Sequence, residues 1–303
     1  MTCYYPRHGF RSRDGRNPAT GAWPIVFNIN DGYKDLPVTV SCGKCIGCRL
    51  EHSRQWAIRC IHESMLHKEN CFLTLTYNND YLPSNNSLNV TDIQKFFKRL
   101  RKRIEIPIRY FQCGEYGELF QRPHHHVILF GYSFPDRKFS KLSKSGFPLY
   151  RSELLADLWP FGFHDIGDVT FESAAYTARY ILKKITGDNA LEHYHGRMPE
   201  YVTMSRRPGI ASGWLEKYYN DVYPHDYVVI RDGIKCRPPK YYDNIYDSLQ
   251  EEYQIKDIKL NRIQNIKNKK DYNNDWRLHV QNQCHEIRAK SLIRHYELGE
   301  DNV

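Results

Sequence analysis

The chain has 303 residues, a net charge of +9 and a hydrophobic content of 41%, which suits one large domain or one domain with appendages. No apolar run approaches the ~20 residues needed to span a bilayer, and the first residues form no signal-peptide core. We therefore expect a soluble, cytosolic protein with no membrane partner. The basic surplus lies in the first 240 residues and accompanies 23 tyrosines. Phosphates bind Lys and Arg and bases stack on aromatic rings, so this composition favours nucleic acid over a merely basic soluble protein.

The nine cysteines are an odd number, and the absence of an export signal argues against a disulfide framework. Cys42, Cys45 and Cys48 have the close spacing of soft-metal ligands. Three thiolates leave one position of a tetrahedral zinc ion open, and His52 lies one helical turn beyond Cys48. The alternatives are a structural zinc site and free thiols at the start of a helix.

The first half of the chain predicts a loop-rich arm with one or two short strands over 1–40, a helix over 50–68 and a strand over 72–77. A helix then begins near Thr91 and Asp92, with apolar residues at helical spacing on one face. Its other face carries six cations without an acid, which favours a phosphate contact over a solvated charged face. These cations are Lys95, Lys98, Arg99, Arg101, Lys102 and Arg103.

The second half predicts a loop over 132–149, a helix over 153–159, a strand over 163–169 and a helix over 176–184. Hairpin-linked strands with helices on one side give an α+β fold around an antiparallel central sheet. Residues 241–303 have an intermittent helical pattern. We divide the chain into an N-terminal arm with the cysteine cluster and a helix (1–70), a core (71–220) and a partly helical C-terminal extension (221–303).

Three consecutive histidines begin a predicted buried strand that runs from Pro123 to Gly131. Side chains alternate across a strand, so His124 and His126 share a face while His125 points the other way. Two imidazoles about 7 Å apart on one face can converge on a divalent ion. Glu115, at the end of the preceding strand, can add a carboxylate. Ordinary strand histidines are the alternative.

A helix downstream places Tyr176, Tyr180 and Lys183 on one face, because the tyrosines are four residues apart and the lysine follows three residues later. Two phenols and an ammonium opposite a metal site suit nucleophilic attack on phosphate. The alternative is that Tyr176 merely packs and Tyr180 acts alone.

This combination resembles the HUH endonuclease superfamily, and within it the replication initiation proteins of microviruses, especially the gokushovirus branch. The matching segments occur in the family's order over roughly residues 40 to 215. They are 42–45 (CGKC), 72–77 (FLTLTY), 114–118 (GEYGE), 123–126 (PHHH), 176–184 (YTARYILKK) and 204–210 (MSRRPGI). One departure is His125, where the family has a hydrophobic residue; a neutral histidine facing the core is tolerable if its ring nitrogens find partners.

The resemblance implies a ferredoxin-like, RRM-like palm and a metal-dependent nuclease that starts rolling-circle replication. Glu115, His124 and His126 would hold Mg²⁺ or Mn²⁺. Tyr176 and Tyr180 would attack the origin in turn, leaving a 5′-phosphotyrosine that is later resealed, with Lys183 lowering the cost of phenol deprotonation or positioning the phosphate. The superfamily's Tyr-x-x-Lys spacing begins at Tyr180. An early cysteine is frequent in these proteins, so Cys3 becomes the first choice for the fourth zinc ligand.

The implied partners are single-stranded DNA at a replication origin and host replication proteins, in the cytoplasm of a bacterial host. The candidate DNA-binding residues are Lys95, Lys98, Arg99, Lys102, Arg122, Arg179, Lys184, Arg206 and Arg207. A relaxase or transposase would use the same site. A non-haem iron oxygenase also uses two histidines and a carboxylate, and a zinc-containing DNA-binding protein would need no catalysis.

Overall fold

The computed structural model describes residues 3–19, 21–117, 120–143, 146–179, 189–223, 225–230, 233–249, 252–267 and 274–291. The strands in chain order are β1 (Arg7–Ser12), β2 (Ile25–Val26), β3 (Gly32–Val40), β4 (Asn70–Tyr77), β5 (Arg109–Tyr116), β6 (Pro123–Phe130), β7 (Lys138–Leu142), β8 (Pro148–Arg151), β9 (Gly162–Gly167), β10 (Tyr201–Met204), β11 (Val228–Val229) and β12 (Lys235–Cys236). The α-helices are α1 (Ile46–Ser64), α2 (Val90–Ile104), α3 (Glu153–Leu158), α4 (Phe171–Arg179), α5 (Asn189–Tyr194), α6 (Ser212–Val222), α7 (Lys240–Leu249), α8 (Glu252–Lys267) and α9 (Asp275–Ser291).

The chain divides into two compact units. The first combines residues 1–51 with 259–292, and the second combines 52–258 with 293–303. Residues 259–292 are thus grouped with the N-terminal segment, whereas the sequence led us to divide the chain at 70 and 220; that three-part division stays a prediction.

The first unit contains a three-stranded antiparallel sheet in the order β2-β1-β3. We expected one or two short strands here, and that expectation is wrong. Strand β3 is nine residues long, but its side chains are mostly exposed. It therefore lacks the alternation of apolar and polar residues by which a half-buried strand is recognised.

The second unit is built on a seven-stranded sheet in the order β10-β5-β6-β4-β9-β8-β7, and each neighbouring pair is antiparallel. The predicted α+β class with an antiparallel central sheet is confirmed. Strand β6, which carries the three histidines, lies between β5 and β4 and is buried throughout. Its register sets His124 opposite Glu115 on one side and opposite Thr76 on the other.

Helices cover both faces of this sheet, so the prediction of helices on one side is wrong. Apolar side chains of α1, α4, α6 and α7 pack against one face, where Phe72, Phe111 and Ile128 project. Those of α2 and α3 pack against the other face, where Leu73 and Val127 project. Strands covered on both faces read as continuous apolar runs rather than as alternating ones, which is why the sequence does not reveal the second layer.

A hairpin of β7 and β8 extends the sheet where the sequence predicted a loop over 132–149. Every residue of β7 is exposed, so burial imposes no apolar pattern on the sequence. The tail is more helical than its intermittent pattern suggests. Among the residues described, no helix combines the length and the apolar character needed to cross a membrane.

Candidate active site on the central sheet

Glu115, His124 and His126 meet on one buried face of the central sheet. The His126 Nε2 atom lies 2.8 Å from Glu115 Oε1 and donates a hydrogen bond to the carboxylate. The rings of His124 and His126 are nearly parallel, with centroids 6.3 Å apart, close to the two-residue repeat of a strand. Glu115 is directly opposite His124 and diagonal to His126, as expected for cross-strand neighbours.

The backbone fixes the tautomer of His124. Its Nδ1 atom lies 2.6 Å from the carbonyl oxygen of Arg122, which can only accept, so Nδ1 carries the proton. The Nε2 atom then keeps its lone pair. A carbonyl on the far nitrogen is the usual way in which proteins orient a metal-binding histidine, so His124 has the form that a metal ligand requires.

His126 is held by two further residues of β4. The Thr74 Oγ1 atom lies 3.2 Å from His126 Nδ1, and the Phe72 ring stacks parallel to the imidazole at 5.6 Å between centroids. While Nε2 donates to Glu115, the hydroxyl of Thr74 donates to Nδ1; when Nε2 gives up its proton, the same hydroxyl can accept from Nδ1. Thr74 can therefore support His126 in either protonation pattern.

Helix α4 brings Tyr176 to the same face. The edge of the Tyr176 ring meets the His126 ring, with centroids 5.1 Å apart and an angle of 82° between the planes. Tyr176 also packs edge-on against Phe72, and only 1% of its surface is exposed. The tyrosine predicted as a nucleophile thus lies beside the histidine predicted as a ligand.

His125 faces the opposite side of the sheet, as the alternation predicts. It is fully buried, and burial lowers its pKa to about 3, so the ring is neutral. Tyr77 donates to Asp92 and is left to accept from His125 Nε2 at 3.3 Å. Tyr201 and Gln112 lie 3.3 and 3.4 Å from Nδ1, where each can donate. All ring nitrogens of this core histidine have partners, which answers the departure from the family pattern.

The remaining catalytic candidates, Tyr180 and Lys183, lie outside the described residues, as does Lys184. Arg179 is the last residue of α4, and its side chain is likewise outside the description.

The other predicted DNA-binding cations are spread over several surfaces. Lys95, Lys98 and Lys102 are exposed on α2, which packs on the sheet face opposite the histidine pair. On the same helix, Arg99 donates two hydrogen bonds to the carbonyl oxygen of Leu158. The structure therefore does not bring these four residues together with Glu115, His124 and His126, and their role in DNA binding stays a prediction.

Arg122 bridges the ends of β4 and β6. Its guanidinium donates to the carbonyl oxygen of Tyr77 at 2.8 Å and to Asn79 Oδ1 at 2.7 Å. These bonds hold the backbone whose carbonyl orients His124, so the contact that Arg122 makes here is structural. Arg206 and Arg207 are exposed in the turn that follows β10.

The four predicted zinc ligands come together in the first unit. The sulfur atoms of Cys3, Cys42, Cys45 and Cys48 all lie within 4.8 Å of one another. In the part of the chain that the structure describes, this is the group of three or more His, Cys, Asp or Glu side chains that is gathered closely enough to hold one ion, and His52 is not in it. Glu115, His124 and His126 adjoin pairwise instead.

Sequence reasoning missed Thr74, Phe72 and the role of the Arg122 backbone. All three follow from the pairing of β4 with β6, which periodicity cannot supply. A signal was nevertheless present: Thr74 and Thr76 alternate with leucines in 72–77, and polar residues inside a buried strand need a partner.

Together, the fold and the site define an α+β protein with a buried carboxylate–histidine cluster beside a helix-borne tyrosine. The family of the replication-associated protein ORF2 matches residues 70–185. The chain is 37% identical over 238 residues to the replication-associated protein VP4 of Bdellovibrio phage phiMH2K, covering 75% of this chain and 73% of that protein. It is 35% identical over 251 residues to the replication-associated protein ORF2 of Spiroplasma virus 4, covering 78% and 76%.

A third relative, the replication-associated protein ORF4 of Chlamydia phage 1, is 30% identical over 234 residues, covering 73% of this chain and 58% of that protein. The chain therefore belongs to the family of phage replication-associated proteins found in microviruses. No solved structure matches it significantly.

Proposed function

We propose that this protein is the nuclease that starts rolling-circle replication of a single-stranded DNA phage. It nicks the origin by tyrosine attack, remains joined to the 5′ end through a phosphotyrosine, and reseals the product. The observation that carries this proposal is the buried Glu115–His126 pair with His124 on the same face and the Tyr176 ring 5.1 Å from His126. The names of the relatives support a role in replication, and the chemistry is inferred from the site.

The donor set suits Mn²⁺ or Mg²⁺. One carboxylate and two imidazoles are ligands that Mn²⁺ accepts readily, while Mg²⁺ prefers oxygen and water. His124 carries a lone pair on Nε2 because its Nδ1 proton is bonded to a carbonyl. His126 gains a lone pair once its Nε2 proton is lost, and Thr74 is placed to accept the proton on the other nitrogen. When bound, the metal ion would supply Lewis-acid stabilisation of charge on the scissile phosphate.

The covalent step requires a phenolate. A tyrosine has a pKa of about 10, so only ~0.1% is ionised at pH 7. The phenolate oxygen forms the new bond to phosphorus, the bond from phosphorus to the 3′ oxygen breaks, and the leaving oxygen takes a proton to become the 3′ hydroxyl that primes synthesis. Lys183 is proposed to favour the phenolate, and Tyr180 to provide the second nucleophile for the cut that ends a round. Resealing is the reverse of this step and needs no ATP.

The substrate must reach side chains that are buried here. Helix α4 packs against β5 and β6 over the histidine face. A phosphate can therefore contact His126 and Tyr176 together only if α4 shifts away from β6, and we include this opening in the proposal.

An exposed aromatic ring marks the path by which single-stranded DNA would approach. Thr76 is paired with His124 on one side and with Phe163 on the other, so all three project from one face along a line across three strands. Two strand spacings put Phe163 about 10 Å from His124. Phe163 is 41% exposed, and an exposed ring at that position can stack on a base without reading its sequence.

Covalent capture tests the proposal. The protein, Mn²⁺ and circular single-stranded phage DNA should give an adduct that survives denaturing electrophoresis, together with a free 3′ hydroxyl that a polymerase can extend. A protein that retained the DNA without forming an adduct would be the non-enzymatic binding protein, and oxidant-dependent turnover would indicate the oxygenase.

Phenylalanine variants identify the nucleophile, because they remove the phenol oxygen and little packing volume. If the tyrosines alternate, Tyr176→Phe and Tyr180→Phe should each still form adduct but fail to close circles, and the double variant should form none. Unimpaired closure by Tyr176→Phe would assign that residue to packing. An adduct formed by the double variant would refute the nucleophile assignment.

A further inference from the structure

We propose that Cys3, Cys42, Cys45 and Cys48 bind one structural zinc ion, and that this ion fastens the N-terminal segment of the first unit. The inference concerns a different part of the chain from the nuclease site, and it stands whether or not the protein cuts DNA.

The sulfur atoms have the separations that a single ion requires. In a tetrahedral site with Zn–S bonds of about 2.3 Å, neighbouring sulfurs lie about 3.8 Å apart. The Cys42 and Cys48 sulfurs are 3.9 Å apart, and all four lie within 4.8 Å of one another. The cysteines are free thiols rather than disulfides, so the cluster is held by the fold without a covalent link.

Backbone N–H groups point at these sulfurs. The N–H of Cys42 donates to Cys3 Sγ at 3.2 Å, and the N–H of Cys45 donates to Cys42 Sγ at 3.4 Å. The N–H of Tyr4 donates to Cys45 Sγ at 3.4 Å. A neutral thiol is a weak acceptor, whereas a metal-bound thiolate carries charge that such donors stabilise. Three N–H···S contacts in one cluster therefore favour bound thiolates over idle thiols.

The local sequence produces this arrangement. Gly43 has φ +76°, a left-handed conformation that glycine adopts without strain, and nothing lies within 4 Å of the position a Cβ would occupy. The chain thereby turns between Cys42 and Cys45. Helix α1 begins at the next residue, so Cys48 follows within its first turn. The turn and the helix start aim three sulfurs at one point, and Cys3 closes the fourth side.

Sulfur ligands choose the metal. Four thiolates in a tetrahedron select zinc or iron and disfavour Mg²⁺ and Mn²⁺, which prefer oxygen. The two metal sites of this protein would therefore be chemically distinct, and the ions used for nicking would not replace the structural one.

The site joins segments that are distant in the sequence. Cys3 and Cys42 are 39 residues apart, and the whole of the β2-β1-β3 sheet lies between them. The residue after Cys3 contacts α9: Tyr4 Oη lies 2.8 Å from His285 Nδ1. Tyr5 Oη lies 3.3 Å from His279 Nδ1. An ion that fixes Cys3 also positions these two tyrosines, so it should stabilise the sheet and its contact with α9 together.

Metal content is the first test. The full-length protein, purified under reducing conditions without added metal, should carry about one zinc per chain, and X-ray absorption should show four sulfur neighbours near 2.3 Å. Cys45→Ser should lose the zinc. Cys284→Ser is the matched control, because Cys284 is exposed on α9 and outside the cluster, and it should keep the full zinc content. Folded protein without zinc, or with iron at the four sulfurs, would overturn the proposal.

Two further measurements keep the test decisive if Cys45→Ser does not fold. Cys48→His preserves four ligands in a set that zinc also accepts, so it should retain one metal and, when loaded with Co²⁺, show an altered tetrahedral spectrum. Removing zinc from the wild-type chain with a chelator should speed amide exchange in β1 and β3 at least tenfold while leaving β5 and β6 protected. Unchanged exchange in β1 and β3 after complete zinc removal would overturn the fastening role.

Discussion

The hydroxyl of Thr74 offers a sharp test of the metal-site proposal. Replacing Thr74 by valine removes the hydrogen bond to His126 Nδ1 and keeps the β-branched shape that suits a strand. With a metal on Nε2, the Nδ1 proton would then lack its acceptor inside a fully buried site. Loss of such a supporting partner typically costs 10- to 100-fold in metal affinity, or about 1.4–2.7 kcal/mol.

The assay is nicking measured over a range of Mn²⁺ concentrations, with the Mn²⁺ dissociation constant determined separately. Thr74→Val should shift the metal dependence upward by about 10- to 100-fold and regain most of the wild-type rate at saturating metal. Thr76→Val is the matched control, since Thr76 is on the same strand and face, opposite His124. It should shift the metal dependence by less than about threefold, because the bond to His126 belongs to Thr74.

The result that would refute this reasoning is a rate that falls equally at every Mn²⁺ concentration with an unchanged dissociation constant. That outcome would make Thr74 a packing residue and would remove the reason for regarding His126 as a ligand that it orients. Equal shifts in both valine variants would point to a general disturbance of β4.

Three other outcomes follow from the site. His126→Ala should abolish nicking while leaving most DNA affinity, which many phosphate contacts supply; undiminished nicking under metal limitation would contradict the ligand assignment. Glu115→Gln should reduce nicking in a metal-dependent way, and the same loss from Glu118→Gln instead would show that the wrong carboxylate was chosen. Phe163→Ala should weaken binding of single-stranded DNA by about 5- to 150-fold, the equivalent of one base stack at about 1–3 kcal/mol. The control Phe139→Ala removes a more exposed ring, at 61%, that lies on the other face because it is paired through Tyr150 to Ile166; an equal loss of DNA affinity in both variants would remove Phe163 from the proposed path.

The parts of the fold that bury apolar side chains could be predicted from the sequence. The strand with the three histidines and α2 were located because their apolar residues recur at the period of a strand or a helix. The β7–β8 hairpin and strand β3 were missed because they are largely exposed. Helices on both sheet faces were missed because the central strands are apolar throughout.

The candidate site was predictable where one strand determined it and less so where several did. Alternation along β6 placed His124 and His126 together, and the turn after β5 suggested Glu115. Thr74 joins them only through the register of β4 against β6, which depends on tertiary packing. Similarly, the spacing of 42–48 predicted three sulfurs, whereas the arrival of Cys3 depends on the path of the intervening sheet.

The grouping of residues 1–51 with 259–292 has a consequence for how the protein is made. Tyr4 leaves the ribosome near the beginning of synthesis, but His285, its partner on α9, is 281 residues further along the chain. The strands of the central sheet all lie between these two residues, so that sheet can fold during translation while the first unit still lacks its last helix. The ligands at positions 3 to 48 are all available early. A metal ion captured at that stage would keep the N-terminal strands ordered through the interval before α9 emerges.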